Sequence, residues 1–159
     1  MYREINRTQV PQDIAKDFKI AVVYASWHPE IIDKLIEGAK STAIEANVPE
    51  ENLQYFQVAG SYEIPQMVEC LARSQTYAAI VPLGCVVQGR TNHFDLICNM
   101  LSTSLDQIGR KHAVAVSFGI VTAKDMDQAI SRADGTKGNK GQEAMNAALS
   151  LAVSMKSAQ

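Results

Sequence analysis

The sequence has few cysteines, no marked excess of charge of either sign and no long hydrophobic run. Its three cysteines, Cys70, Cys85 and Cys98, lie far apart and form no CxxC pair, so no disulfide framework or cysteine metal site is indicated. The formal net charge of −2 provides no basic field for nucleic acid or an anionic membrane. No apolar run approaches about 18 residues, and the polar segment 1–19 lacks the core of a signal peptide. These absences predict a cytoplasmic protein with reduced thiols, no membrane segment and no nucleic-acid partner.

The 159 residues contain enough hydrophobic positions for one ordinary core. A hydrophobic share of 47% and a charged share of 20% are typical of globular proteins, and the length favours a single domain over 1–159, with 1–17 as a polar N-terminal arm. Short apolar runs alternate along the chain with stretches of helical spacing. This pattern predicts strands at 20–25, 53–58, 77–83 and 113–121, and helices at 29–48, 64–73, 93–108, 124–132 and 142–155. Pro82 suggests the end of the third strand.

The alternation of strands and helices predicts an α/β fold, in which a mostly parallel four-stranded sheet lies between two layers of helices. Ligands of such sheets bind beyond the carboxyl ends of the strands. Four segments occupy such positions in this sequence and are the candidate binding segments: 26–28, 60–63, 84–93 and 118–122.

The segment that follows the third strand and is bracketed by Gly84 and Gly89 is the first candidate site. It enters a predicted helix, where free backbone N–H groups and the helix dipole favour an anion. Thr91 adds a hydroxyl donor and Arg90 a positive charge, and neutral His93 could transfer protons. The alternative is an ordinary strand-to-helix loop with a capping side chain and a surface histidine.

Other candidates stand at the ends of strands or helices. Trp27, the only tryptophan, is either a core anchor or a platform for a flat ring. Glu63 could bind a polyol by hydrogen bonding, or could stabilise the first turn of the next helix. Arg132 and Lys140 flank a glycine-rich turn and could hold phosphate, or could simply face solvent. Cys85 could form a nucleophilic pair with a downstream histidine, although no third residue is available to orient that pair.

Taken together, these segments resemble the lumazine synthase family from Phe18 nearly to the C-terminus. The combination of motifs, in the family's order, is what makes the resemblance specific. The motifs are Trp27 after the first main strand, Gly60-Ser61-Tyr62-Glu63-Ile64-Pro65, Gly84 to Asp95 with Gly89-Arg90-Thr91-Asn92-His93-Phe94-Asp95, Phe118-Gly119-Ile120-Val121-Thr122, Gln128-Ala129 with Arg132-Ala133, and Asn139-Lys140-Gly141. The resemblance implies a flavodoxin-like three-layer fold whose N-terminal segment reaches a neighbouring subunit.

The resemblance also implies a reaction. The family condenses 5-amino-6-(D-ribitylamino)uracil with 3,4-dihydroxy-2-butanone 4-phosphate to give 6,7-dimethyl-8-ribityllumazine, the precursor of riboflavin. These two small-molecule substrates react without a metal or a cofactor, and His93 is implied as the general acid/base. The implied phosphate-binding residues are Arg90, Thr91 and Arg132. The residues implied for the pyrimidinedione and ribityl groups are Trp27, Ser61, Tyr62, Glu63, Val86, Val87, Phe118 and Lys140, with Val86 and Val87 acting through their backbone.

By the same resemblance, we expect a homopentamer or a multiple of pentamers with sites between subunits. Phe118 and Lys140 would come from a neighbouring subunit, and riboflavin synthase is a candidate partner. The short turn at 134–139 resembles that of capsid-forming members, whereas Trp27 is commoner in members with smaller assemblies. The order of assembly above the pentamer therefore stays open.

Four positions depart from the family's common pattern. Gln88 stands where many members have a basic residue, and Arg90 where they have a small or acidic one, so the positive charge has moved by two positions. Ala59 replaces a common proline, and His28 stands where asparagine is frequent. We expect these changes to adjust ligand binding. They leave open the alternative of a non-catalytic carrier of lumazine or flavin.

Overall fold

The structure, a computed structural model, describes residues 6–159. Its strands within that range are β1 (Ile20–Ala25), β2 (Leu53–Val58), β3 (Ala79–Val87), β4 (Ala115–Val116) and β5 (Gly119–Ala123). The α-helices are α1 (Gln12–Ala15), α2 (Pro29–Glu45), α3 (Ile64–Arg73), α4 (His93–His112), α5 (Met126–Ser131) and α6 (Lys140–Ser157). Short 3-10 turns at Glu50–Asn52 and Ser61–Glu63 precede β2 and α3.

The strands form one parallel sheet in the order β2-β1-β3, with β4 and β5 both on the far side of β3. Strands β4 and β5 continue a single ladder, because Ala79 pairs with Ala115 and Leu83 pairs with Gly119 at the same offset. The sheet therefore has four strand positions. The predicted α/β fold with a parallel four-stranded sheet is confirmed.

Pro82 lies inside β3, so the predicted end of this strand at 83 is wrong, and the strand continues to Val87. The carbonyl of Ile80 accepts the N–H of Ser117 at 3.2 Å, and strand alternation turns the nitrogen of Pro82 toward the same neighbouring strand. Because proline has no N–H to donate, the ladder is interrupted there. The interruption at Ser117 and Phe118 splits the predicted strand 113–121 into β4 and β5.

Helices cover both faces of the sheet and create a core on each side. Helices α2, α5 and α6 pack on one face, and α3 and α4 pack on the other. Strand β1 contributes to both cores, since Val22 lies in the first cluster and Val23 in the second. Burial on both faces explains why this strand is a continuous apolar run in the sequence.

The described part of the predicted N-terminal arm, residues 6–17, packs along its own subunit. The N–H of Thr8 donates to the side chain of Asn146 in α6 at 2.7 Å, and the N–H of Val10 donates to the carbonyl of Ala46 after α2 at 3.0 Å. Val10 is completely buried. Residues 1–5, the rest of the predicted arm, lie outside the described residues.

Helix boundaries differ from the predicted ones by a few residues. Helix α4 continues four residues beyond the predicted end, through a last turn of Arg110, Lys111 and His112 whose positive charge suits the helix C-terminus. It stops at Ala113, which has a left-handed φ of 50°. Over residues 6–159 the structure contains no helix with the length and apolar character needed to cross a membrane.

Candidate active site

The carboxyl ends of the strands meet at one edge of the sheet, and the turns leaving this edge carry most of the predicted site residues. Ala25 at the end of β1 pairs with Val58 at the end of β2, and Val87 at the end of β3 pairs with Ala123 at the end of β5. The turns that follow bear Trp27, the Ser61–Glu63 turn, the loop before α4, and α5 with its terminal arginine. The predicted location of the site therefore agrees with the topology.

Trp27 lies on the surface of the first turn with 67% of its area exposed, so the alternative of a core anchor is wrong. The five-membered side of its indole lies against Gly60, because a Cβ added to Gly60 would be 3.3 Å from Cδ1 and 3.4 Å from Nε1 of Trp27. The same point is 3.3 Å from Oε2 of Glu63. An exposed aromatic plane and a carboxylate thus flank one glycine, an arrangement suited to a flat ring that carries hydroxyl groups.

The Ser61–Glu63 turn reaches from β2 toward β3. The hydroxyl oxygen of Ser61 lies 2.9 Å from the position that a Cβ of Gly84 would take. The absence of a side chain at Gly84 therefore makes room for the Ser61 hydroxyl. Tyr62 is 61% exposed. Glu63 is the N-cap residue of α3 and its carboxylate makes no capping hydrogen bond to that helix. These polar groups are available to a ligand at the edge.

Strand β3 projects beyond its neighbour β1 at this edge. The ladder with β1 ends at Leu83, whereas the ladder with β5 continues to Val87. The N–H of Gln88 donates to a carbonyl of β5 at 2.8 Å, and alternation turns the peptide groups of Val86 to the same side. The peptide groups of Cys85 and Val87 therefore face the open space above β1. Of the two residues expected to act through their backbone, only Val87 presents it there.

The loop that follows β3 is exposed and opens directly into α4. Arg90, Thr91 and His93 all lie on the surface. Oγ1 of Thr91 accepts the N–H of His93 over a long 3.4 Å, and Asn92 makes no side-chain capping bond. The amide groups in the first turn of this 20-residue helix therefore have little side-chain capping. Such a helix end can bind an anion.

Arg132 is the C-cap residue of α5 and is exposed. Its carbonyl accepts the N–H of Lys140 at 2.8 Å, so the two residues lie side by side across the intervening turn. The ammonium group of Lys140 is 3.6 Å from the carboxylate of Glu143, one turn further along α6. Arg132 and Lys140 thus occupy adjacent backbone positions on either side of the turn.

Phe118 lies away from this edge. It occupies the ladder position opposite Pro82, five residues before Ala123 at the end of β5. Five residues correspond to about 16 Å along a strand. Its side chain is 37% exposed. Within one subunit the structure therefore does not bring Phe118 to Trp27.

Two clefts in the described part of the chain lie outside the predicted site. One, of about 310 Å³, lies at the opposite edge of the sheet among Phe18, Tyr77, Val114 and Met155. The other, of about 580 Å³, is a broad groove between α2 and the turn 133–139. None of the predicted site residues lines either of these two clefts.

A family model for 6,7-dimethyl-8-ribityllumazine synthase matches residues 17–156 of the 159-residue chain. The chain belongs to this family. The match includes every described strand and each of the turns that carry the site. The protein is therefore a transferase with lumazine synthase activity in riboflavin biosynthesis, and the family and enzyme class predicted from the sequence are confirmed.

The Asn139-Lys140-Gly141 motif holds the start of α6 against α2. The side chain of Asn139 accepts the N–H of Gln142 at 3.0 Å and donates to a backbone carbonyl of α2 at 3.1 Å. A Cβ on Gly141 would be 1.9 Å from another carbonyl oxygen of α2, so no larger residue fits there. Two motif residues thus have a packing role, and Lys140 between them has a side chain that is 33% exposed.

Cys85 does not form a nucleophilic pair with His93. Its side chain is 5% exposed and belongs to the core beneath α2 and α6, whereas His93 begins α4 on the opposite face of the sheet. Burial, with a smaller contribution from Glu30, raises the pKa of the Cys85 thiol to about 11. The thiol is protonated at neutral pH, and the Cys–His alternative is wrong.

Ser26 begins the candidate segment 26–28, although no individual role is predicted for it from the sequence. Its hydroxyl donates to the carbonyl of Ala59 at 2.6 Å, which links the turn after β1 to the turn after β2. The contact depends on the register between the two strands, and a single sequence does not reveal that register.

Proposed function

We propose that the protein condenses 5-amino-6-(D-ribitylamino)uracil with 3,4-dihydroxy-2-butanone 4-phosphate to 6,7-dimethyl-8-ribityllumazine, with release of inorganic phosphate and water. The observation that carries the proposal is the placement of two unlike groups on one edge of the sheet. An exposed indole with polar neighbours suits a flat ring bearing a polyol. A helix N-terminus with nearby basic groups suits a phosphorylated partner. Membership of the family is consistent with this pair of substrates.

The ring and chain of the first substrate bind around Trp27. The indole stacks on the pyrimidinedione, and the peptide groups of Val87 hydrogen-bond to the polar edge of the ring. Ser61, Tyr62 and Glu63 bind the ribityl hydroxyls, for which hydroxyl and carboxylate oxygens are suitable acceptors. The common contact of Trp27 and Glu63 with Gly60 supports this assignment, because it places a stacking surface next to an acceptor.

The phosphate of the second substrate binds to Arg90, Thr91 and Arg132. The N-terminus of α4 supplies partial positive charge, Thr91 supplies a hydroxyl donor, and a guanidinium can bind phosphate through two parallel hydrogen bonds. The net charge of the protein is −2, so the affinity for a phosphorylated substrate has to come from such local groups.

His93 transfers protons during the condensation. A neutral imidazole accepts a proton at one nitrogen and donates at the other. It can therefore take a proton from the ring amine as the imine forms, and supply one to departing water or phosphate. Its position as the first residue of α4, two residues after Thr91, keeps it beside the proposed phosphate group.

We propose that the active form is a homopentamer or a multiple of pentamers, in which Phe118 and Lys140 of one subunit complete the site of the next. Phe118 is partly exposed yet far along the strand from its own subunit's edge, and exposed Leu96 and Ile130 add apolar surface that an interface would cover. Strand β2 has one open edge among the described residues, which an interface could cover. A protein that light scattering shows to be a monomer and that is nevertheless active would contradict this proposal.

We also place the reaction in the cytoplasm, where the three cysteines stay free, as they are in the described residues. Riboflavin synthase, which acts on the lumazine product, is a candidate partner. Fractionation of cells that express the tagged protein shows which compartment contains it. Affinity purification of the tagged protein from the same cells shows whether riboflavin synthase co-purifies.

Binding experiments test the two halves of the site separately. A ribityl-uracil analogue should quench the fluorescence of Trp27, because the indole would lie against the ring. Inorganic phosphate should bind to the wild type and more weakly to Arg132→Ala, as measured by calorimetry. Arg110→Ala is the matched control, since this arginine pairs with Asp106 at the far end of α4. Equal phosphate binding by the wild type and Arg132→Ala would remove Arg132 from the site.

The catalytic assignment is tested by single-turnover kinetics of His93→Ala. Loss of the proton-transfer group should slow the reaction by about one to four orders of magnitude, with little change in phosphate affinity. An unchanged single-turnover rate would remove His93 from the mechanism.

A further inference from the structure

One hydroxyl group joins the two turns that bear the proposed ring site. Ser26 follows β1 directly; its N–H donates to the carbonyl of Val58 at 3.0 Å, and its Oγ donates to the carbonyl of Ala59 at 2.6 Å. The first bond continues the strand ladder and would form with any residue other than proline. The second depends on the serine side chain, and it fastens the turn before Trp27 to the turn before Gly60.

The orientation of Trp27 depends on this connection between the turns. The indole is 67% exposed, so core packing restrains little of it, and its five-membered side lies against the backbone at Gly60. The turn continues into His28, whose left-handed φ of 57° is unfavourable for a residue with a Cβ, all the more so before Pro29. Local backbone preferences thus work against the turn, and contacts with the neighbouring turn hold it in place.

We propose that Ser26 is a positioning residue for ligand binding. Its hydroxyl fixes the turn of Trp27 against the turn of Gly60 and Glu63, so that the stacking surface and the carboxylate keep one relative placement. A ring and its polyol chain then meet both groups without a prior rearrangement. The inference rests on the proposed function for the identity of the ligand, but the restraint on Trp27 exists without any ligand.

The test uses the full-length protein and its single tryptophan. Ser26→Ala removes the hydroxyl, and Ser26→Thr keeps it. Ser102→Ala is the matched control, because this exposed serine also donates to a backbone carbonyl, that of Asn99 at 3.2 Å, but in the middle of α4. Time-resolved fluorescence anisotropy without ligand should show a wider local motion of Trp27 in Ser26→Ala. Ser26→Thr and Ser102→Ala should keep the wild-type motion.

Titration with 6,7-dimethyl-8-ribityllumazine supplies the second measurement. The loss of one hydrogen bond predicts about two- to tenfold weaker binding by Ser26→Ala, with recovery in Ser26→Thr. The KM for the ribityl substrate should rise by a similar factor while kcat and the melting temperature stay near the wild-type values.

Unchanged anisotropy together with unchanged affinity in Ser26→Ala would overturn the proposal. A lower melting temperature with an affinity loss that Ser26→Thr does not restore would also overturn it, since that result describes a purely structural serine. If the wild type fails to bind the lumazine while Ser26→Ala still loosens Trp27, the ligand assignment fails and the positioning role of Ser26 stands.

Discussion

Replacement of Gly141 by alanine should destabilise the protein through the contact between α2 and α6. A Cβ at this position would be 1.9 Å from the carbonyl oxygen of Leu35, 2.7 Å from its carbonyl carbon and 2.9 Å from its Cα. All three atoms belong to the backbone of α2, so no change of rotamer relieves the clash. The two helices would have to separate by more than an ångström, and the packing of Met145 and Leu149 beneath them would loosen.

The magnitude follows from two opposing effects. Overpacking of a core costs about 1–3 kcal/mol where side chains can adjust, and a clash with backbone belongs at or above the upper end of that range. Alanine gains up to about 1 kcal/mol over glycine in helix propensity. We therefore expect Gly141→Ala to lose about 2 kcal/mol or more, which lowers the melting temperature by roughly 4–8 °C for a chain of this length.

Gly109→Ala in α4 is the matched control for this experiment. Its added Cβ would meet the carbonyl oxygen of Val114 at 3.3 Å, a tight but adjustable contact, so its stability should stay within about 1 kcal/mol of the wild type. Differential scanning calorimetry at equal protomer concentration measures both variants, because assembly makes the melting temperature depend on concentration. A Gly141→Ala variant as stable as the wild type would show that α2 and α6 do not approach as closely as described.

Three further predictions concern buried or paired polar groups. In the folded protein at pH 8, the exposed Cys70 should react with a thiol reagent and Cys85 should not, because Cys85 is buried and its pKa is raised to about 11; rapid labelling of Cys85 would contradict that burial. Ser117→Ala should be neutral or stabilise the fold by up to about 1 kcal/mol in denaturant titrations, because the buried hydroxyl has no hydrogen-bond partner among the described residues; a clear loss of stability would mean that it has one. Hydrogen bonds from His112 and then Lys111 lower the pKa of Glu69 below its ordinary 4.5, so its contribution to stability is present above that pH and is lost as the pH falls through the lowered value. The stability difference between wild type and Glu69→Gln should therefore shrink in acid, and a difference independent of pH would refute the assignment.

The sheet could be predicted largely because its strands are marked by local patterns. The observed bounds of β1 and β2 are the predicted ones, since a strand buried on both faces, or closed by turn residues, is visible in a short window of sequence. Strand β3 was predicted to end early, because proline usually ends a ladder. What permits Pro82 in the strand is an interruption of the neighbouring strand, 35 residues later in the chain, and no local pattern shows this.

The candidate site could be located from the sequence, but its geometry could not. The rule that ligands bind at the carboxyl ends of parallel strands predicts Trp27 and His93 at that edge, and both follow strands that end there. The register between β3 and its neighbours decides that Val87, and not Val86, turns its backbone to the open side. The same register places Phe118 far along its strand, which a list of motifs in sequence order cannot show.

The most direct test of the proposed function is a turnover assay that follows both products in one sample. The purified protein is incubated with 5-amino-6-(D-ribitylamino)uracil and 3,4-dihydroxy-2-butanone 4-phosphate, and the absorbance of the lumazine is recorded together with the release of inorganic phosphate. We predict one phosphate for each lumazine, at a rate above the uncatalysed reaction that falls in His93→Ala and Arg132→Ala. Binding of the lumazine without phosphate release above background would contradict the proposal and identify a carrier.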